Sequence, residues 1–248
     1  LKHIDWKRGT TELIVIVVGI LLALAMDRWQ QTWNEDEMAV TYVDRLISDL
    51  DTDIAAYQDT TEWSVVINEA AGFVVEVYRG REVSPTEYEQ FVAAILKASW
   101  LQKGGDTSAT YSDLLSTGNL GLLSLEDRGQ LNKYYSLKRK YIEIRSKSFI
   151  ETLNAGYWNM PQLLLGPDLL PRLWLSLQGR DVGYLPSPGS LNLSGSEIEA
   201  IIERLRGVED FEKLAADVRF YMTQRQVIYG QRLPDAAREL KSVLMESD

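Results

Sequence analysis

The chain has 248 residues, a formal charge of −10, one histidine and no cysteine. Without Cys there are no disulfides, thiolate nucleophiles or zinc–thiolate sites, and His3 alone cannot build a Ser-His-Asp triad, a Glu-x-x-His metal pair or an HExxH zinc site. So acidic a chain repels phosphate backbones, and no P-loop or dinucleotide-binding glycine pattern is present, so no nucleic-acid partner, cofactor, metal or enzymatic activity is expected.

The first element in chain order is an unbroken apolar run, Leu13–Met26, within an N-terminal tail and anchor spanning 1–33. Fourteen residues of helix rise about 21 Å, short of a hydrocarbon layer roughly 30 Å thick. Gly9, Thr10 and Thr11 are cheap to bury near headgroups, and Glu12, Asp27 and Arg28 can turn their polar ends outward. Trp6 precedes the run and Trp29 and Trp33 follow it; Trp6 to Trp29 is about 34 Å of helix, a match to interfacial aromatic anchors. A single transmembrane helix is the expectation. A signal peptide cleaved after Ala23-Leu24-Ala25 and a core helix of a soluble protein are the alternatives. Lys2, Lys7 and Arg8 before the run, against Glu35, Asp36 and Glu37 after it, place the N-terminus in the cytoplasm and the main domain in the periplasm of a bacterial inner membrane. Gly19 and Ala23, four apart, form a small-residue face on which another helix could pack.

The extramembrane domain, 34–248, reads as all-α, so the whole is an N-terminal transmembrane helix continuing into a helical bundle. Val43, Leu46, Ile47, Leu50, Ile54 and Tyr57 recur at helical spacing, and no Pro or Gly between Leu21 and Gly72 forces a stop. A second helix is expected to return through Trp63–Tyr78 to a turn at Gly80. Ser84-Pro85-Thr86-Glu87 is a capping box that opens a helix burying Tyr88, Phe91, Val92 and Ile95, with a break at Gly104-Gly105. A short helix should end at Gly118 and a helix of roughly thirty residues should start at Ser124. The five prolines of 161–195 predict an irregular segment. Ser196–Glu199 reads as a second capping box, followed by a buried face of Ile198, Ile201, Ile202 and Leu205, and Gly207 beyond the end. Phe211, Leu214, Ala215, Val218 and Met222 mark a long helix, and Pro234 admits a last short one through Leu240 and Leu244.

Two stretches also resemble a known family. TELIVIVVGILLALAMDRWQQTWNEDE, with its Trp33-Asn34-Glu35 cluster, is similar to the opening of a bacterial family catalogued as domain of unknown function 6090. YSDLLSTGNLGLL followed by LNKYY resembles that family's turn between internal helices, with Ser116, Gly118, Asn119, Leu120 and Gly121 in place. The resemblance implies an anchored helical architecture and lends no catalytic residue.

Three constellations remain. Asp49, Asp51 and Asp53 start like a calcium loop, but Ile54 stands where Gly is needed and Thr60 where a bidentate Glu is needed, so a solvated helix face, with Asp49 and Asp53 toward water, is expected. A basic cluster of Lys133, Lys138, Arg139, Lys140, Arg145 and Lys147 could meet anionic headgroups or an acidic partner, or offset the acidic first helix from within. Leu169, Leu170, Leu173 and Trp174, in the greasy segment 163–177, form either a partner-contact surface or a lid on the core. The expected function is a non-catalytic accessory or scaffolding subunit, held in the bilayer by its span and docked on other subunits of a larger membrane complex, respiratory and photosynthetic assemblies being examples. The alternative is an extracytoplasmic ligand-binding or sensory bundle.

Overall fold

A computed structural model describes residues 6–100, 108–141 and 160–246, with side chains from residue 16 onward. Helix is the only regular structure among them. The helices are α1 (Trp6–Tyr78), α2 (Tyr88–Ala98), α3 (Ala109–Thr117), α4 (Leu125–Arg139), α5 (Met160–Leu177), α6 (Gly195–Arg206), α7 (Phe211–Val227) and α8 (Leu233–Glu246).

The expected return helix is replaced by one rod: α1 runs 73 residues without a turn, about 110 Å. The reason is a seam that outlasts its apolar part. Val43, Leu46, Leu50, Asp53, Tyr57, Thr60, Ser64, Ile67, Ala71 and Val74 are all buried and alternate spacings of three and four. That is the knobs-into-holes repeat of long packed helices. Polar residues at 53, 60 and 64 interrupt its hydrophobicity but not its geometry. Thr60 and Ser64 hydroxyls donate to the carbonyls one turn back, those of Ala56 (2.7 Å) and Thr60 (2.6 Å), so neither needs a break in the helix.

Two cores form along this rod. Tyr42–Leu50 pack with α3, α4 and α8, while Ile67–Val77 pack with α2, α5, α6 and α7. Tyr57, Tyr141, Ile228, Tyr229 and Leu233 fill the layer between them. One long partner serves both cores, because α7 passes into α8 through a π-helical turn, Ile228–Arg232. Its cause is visible in the buried positions. Phe211, Ala215, Val218, Met222, Arg225 and Tyr229 alternate fours and threes, and then Tyr229, Leu233 and Ala237 continue in fours before Leu240 and Leu244 resume the alternation. One residue too many has entered the repeat, and a widened turn absorbs it while keeping both halves facing α1. Gly230 in that turn lies so close to α1 that a Cβ there would sit 3.3 Å from Thr61 Cγ2.

Local signals place most other boundaries. The Glu87 carboxylate accepts from the Ser84 amide (3.1 Å) and hydroxyl (2.8 Å), closing the capping box ahead of α2. Ser124 accepts from the Asp127 amide at the start of α4, and Gly118 ends α3 at φ 77°. The second capping box sits two residues earlier than expected: Ser194, three before Glu197, is the cap, and the Glu197 carboxylate accepts from its amide at 2.8 Å. The expected irregular segment is also corrected in its first half. Met160–Leu177 is helical on both sides of a kink at Gly166, whose φ of 75° only glycine adopts freely. Pro161 and Pro167 each stand at the start of a helical stretch, where the missing N–H costs no internal bond. The Gly104-Gly105 break, the far end of the thirty-residue helix and the basic residues Arg145 and Lys147 lie outside the described residues.

The N-terminal part of α1 stands clear of both cores. From residue 16 to residue 41 no side chain is buried, and Tyr42 is the first that is. Among the described residues no helix is long and apolar enough to cross a membrane.

The tight approach of the π turn makes a prediction. Gly230→Leu should destabilise the bundle by about 1–3 kcal/mol through overpacking. Thr61→Ala, which removes Cγ2, should return part of that loss in a thermal melt; an unchanged melting temperature in Gly230→Leu would refute the contact.

Candidate functional site

The best-satisfied polar cluster lies where the seam of α1 turns polar. Asp53 is fully buried, which corrects the reading that it faces water. Its carboxylate accepts from Lys138 Nζ at 2.7 and 2.9 Å and from the Tyr134 hydroxyl at 2.7 Å. The Tyr134 hydroxyl lies 2.9 Å from that of Tyr57. The signal was present in the sequence, since Asp53 falls three after Leu50 and four before Tyr57, on the stripe itself. Asp49 is half-buried and accepts from the Thr110 amide, while Asp51 pairs with Lys241 at the surface.

The basic cluster is accordingly divided. Lys138 points inward to Asp53, Lys133 pairs with Glu239 of α8, Arg139 is exposed, and Lys140 lies over the Tyr141 ring. Of the greasy segment, Leu169 and Leu173 are buried in the core, Leu170 is partly buried against it, and Trp174 is half exposed. Trp29 and Trp33 are exposed with their rings edge to face, 6.2 Å apart. The Trp6 side chain lies outside the described residues. Ala23 is exposed, and a Cβ at Gly19 would meet nothing within 4 Å.

A second feature went unforeseen. A cavity of about 890 Å³ opens between α1, the C-terminal end of α2 and α5. Three tryptophans from these elements line it: Trp63 and Trp100 with centroids 5.1 Å apart, and Trp174 edge-on to Trp100 at 6.3 Å. Tryptophans thirty or more residues apart in sequence carry no spacing signal, so only the fold brings them together. Trp100 Nε1 is buried with no acceptor among the described residues. Arg180 is the one charged side chain among the described residues of the lining, and it lies over the Tyr184 ring. The buried Lys97 holds this rim in place, donating to the carbonyls of Val182 and Tyr184 at 2.6 Å each. Burial pushes the Lys97 ammonium's pKa down.

Among the described residues no group of three His, Cys, Asp or Glu side chains is placed to hold a metal ion. No family model, curated protein or solved structure matches this chain.

The buried ion pair should behave asymmetrically on substitution. Lys138→Met alone removes the cation that balances the buried Asp53 carboxylate and should cost about 3–5 kcal/mol, whereas Lys138→Met with Asp53→Leu should recover most of it. Urea titrations of the two variants distinguish the cases, and equal losses in both would refute the pairing.

Alkaline stability follows from the same layer. Burial raises the phenol pKa values of Tyr57, Tyr134 and Tyr229 above the ordinary tyrosine value, with Asp53's negative charge adding to the effect at the first two. A raised folded pKa gives stability that is complete below the unfolded value near 10 and lost as pH rises above it, by about 1.4 kcal/mol per pH unit for each phenol. Lys97 acts with the opposite sign, because its folded pKa is lowered, but it is one group against three. Helicity should therefore collapse cooperatively above about pH 10, with a late step in phenolate absorbance at the same pH. Smooth titration of every tyrosine with helicity intact would contradict this.

Proposed function

We propose that the chain is a non-catalytic accessory subunit, tethered to a bacterial inner membrane by the start of α1 and docked there on other membrane-protein subunits. The observation that carries the reading is the exposure of Ile16, Ile20, Leu21, Leu22, Leu24 and Met26, each more than half open on a helix that leaves its own bundle behind. An apolar surface of that extent is costly in water and cheap in lipid or against another apolar helix. The apolar run falls short of a full hydrocarbon layer by itself. Trp6, Trp29 and Trp33 and the snorkelling Glu12, Asp27 and Arg28 make up the difference at the two interfaces. With Lys2, Lys7 and Arg8 on the near side, the bundle lies in the periplasm.

Between the run and the bundle, residues 27–41 form a helical stalk about 22 Å long. Asp27, Arg28, Glu35, Asp36 and Glu37 keep it wet, and a Gln31–Glu35 hydrogen bond one turn apart stiffens it. The docking part of the proposal rests on Gly19, where a Cβ would meet nothing within 4 Å, and the exposed Ala23, which together would let a neighbouring span approach closely. Membership of the family catalogued as domain of unknown function 6090 belongs to the same proposal. It rests on the two resembling stretches alone.

Alkaline carbonate washing tests the tether. The native chain should remain with the membranes, and Val18→Lys with Leu22→Lys should release it, each lysine costing about 2.5–3.5 kcal/mol at a span centre. Native electrophoresis after mild-detergent extraction tests the docking. A band larger than the chain that shrinks in Gly19→Leu is expected, and a free monomer would overturn it.

A further inference from the structure

The tryptophan-lined cavity has the attributes of a site rather than a packing defect. Its walls are stiff: Trp63, Trp100, Trp174, Pro161 and Pro171 have few torsions to freeze when something binds. Among the described residues its rim carries one charge, Arg180, with no ion-pair partner among them and a ring contact to Tyr184 at 5.1 Å. On a chain of net charge −10 an isolated guanidinium at the mouth of an apolar cavity selects for an anion. Lys97, by tying the carbonyls of Val182 and Tyr184, holds the rim segment that includes Arg180.

The geometry also discriminates between ligand classes. Arg180 at the rim would repel a quaternary ammonium. Flat aromatic walls favour a flat body over a flexible chain. We propose that this cavity binds a small, planar, ring-containing anion. Its body would stack on the exposed tryptophan faces and the anionic group would meet Arg180.

Anthraquinone-2-sulfonate is a suitable probe, since it is flat and permanently charged; uncharged 2-(hydroxymethyl)anthraquinone is its control. Equilibrium dialysis of the full chain in mild detergent, against protein-free detergent, should show one saturable site for the sulfonate. Arg180→Gln, at an exposed rim position, should weaken the sulfonate about tenfold and leave the uncharged control unchanged. Trp174→Ala should weaken both by tenfold or more, Trp174→Phe by much less, and decanoate should fail to displace the probe. Non-saturable uptake, or affinity indifferent to both substitutions, would overturn the site. Equal weakening of both probes by Arg180→Gln would overturn the anion assignment, and displacement by decanoate the planar one. None of these outcomes depends on whether the chain is tethered to a membrane.

Discussion

From Tyr42 onward the 73-residue helix α1 is held by what packs against it, because intrinsic propensity contributes only tenths of a kcal/mol per residue. In this protein the packing is organised by one repeat of threes and fours along α1, from Val43 to Val74. The repeat tolerates polar side chains only where each finds a partner in the fold. Asp53 finds Lys138 and Tyr134 of α4, and Ser64 receives the Arg225 guanidinium of α7 at 3.3 Å. Partly satisfied, such a layer would be worse than an apolar one. Satisfied, it joins two greasy cores into one bundle and fixes which helices lie opposite each other.

Those same polar positions explain where the sequence could and could not be read. The capping box at Ser84–Glu87, the left-handed Gly118 and the Ser124 cap are local chemistry and were legible from a few residues each. The seam was legible only as far as Tyr57, because Thr60 and Ser64 hide its continuation from any reading based on hydrophobicity. Asp53 looked solvated because its partners come from some eighty residues away. The kink in α5 depends on Gly166 and Pro167 acting together, so a proline count alone overstated the disorder of that segment. The cavity was illegible for a related reason. Its three tryptophans lie on three separate elements, and nothing in the spacing of 63, 100 and 174 joins them.

The exposed apolar run and the cavity occupy different parts of the same rod. Trp63 lies among the polar positions of α1, about 55 Å along the helix from Met26. On the proposed tether, a bilayer at the apolar run would stand that far along the helix from the cavity mouth. A stalk of fixed length makes the distance a property of the helix, independent of loop conformation.

The π turn has one more consequence. Long antiparallel helices with a regular repeat can slide past each other by one repeat, about 10 Å, and still bury similar surfaces. Here the rod made by α7 and α8 carries an irregular mark, and α1 carries its match: Gly230 sits against Thr61, and Arg225 against Ser64. After a slip, the bulge would meet full-sized side chains and the guanidinium would meet hydrocarbon. The widened turn thus works as a notch in a key, admitting one alignment out of several that hydrophobicity alone would allow.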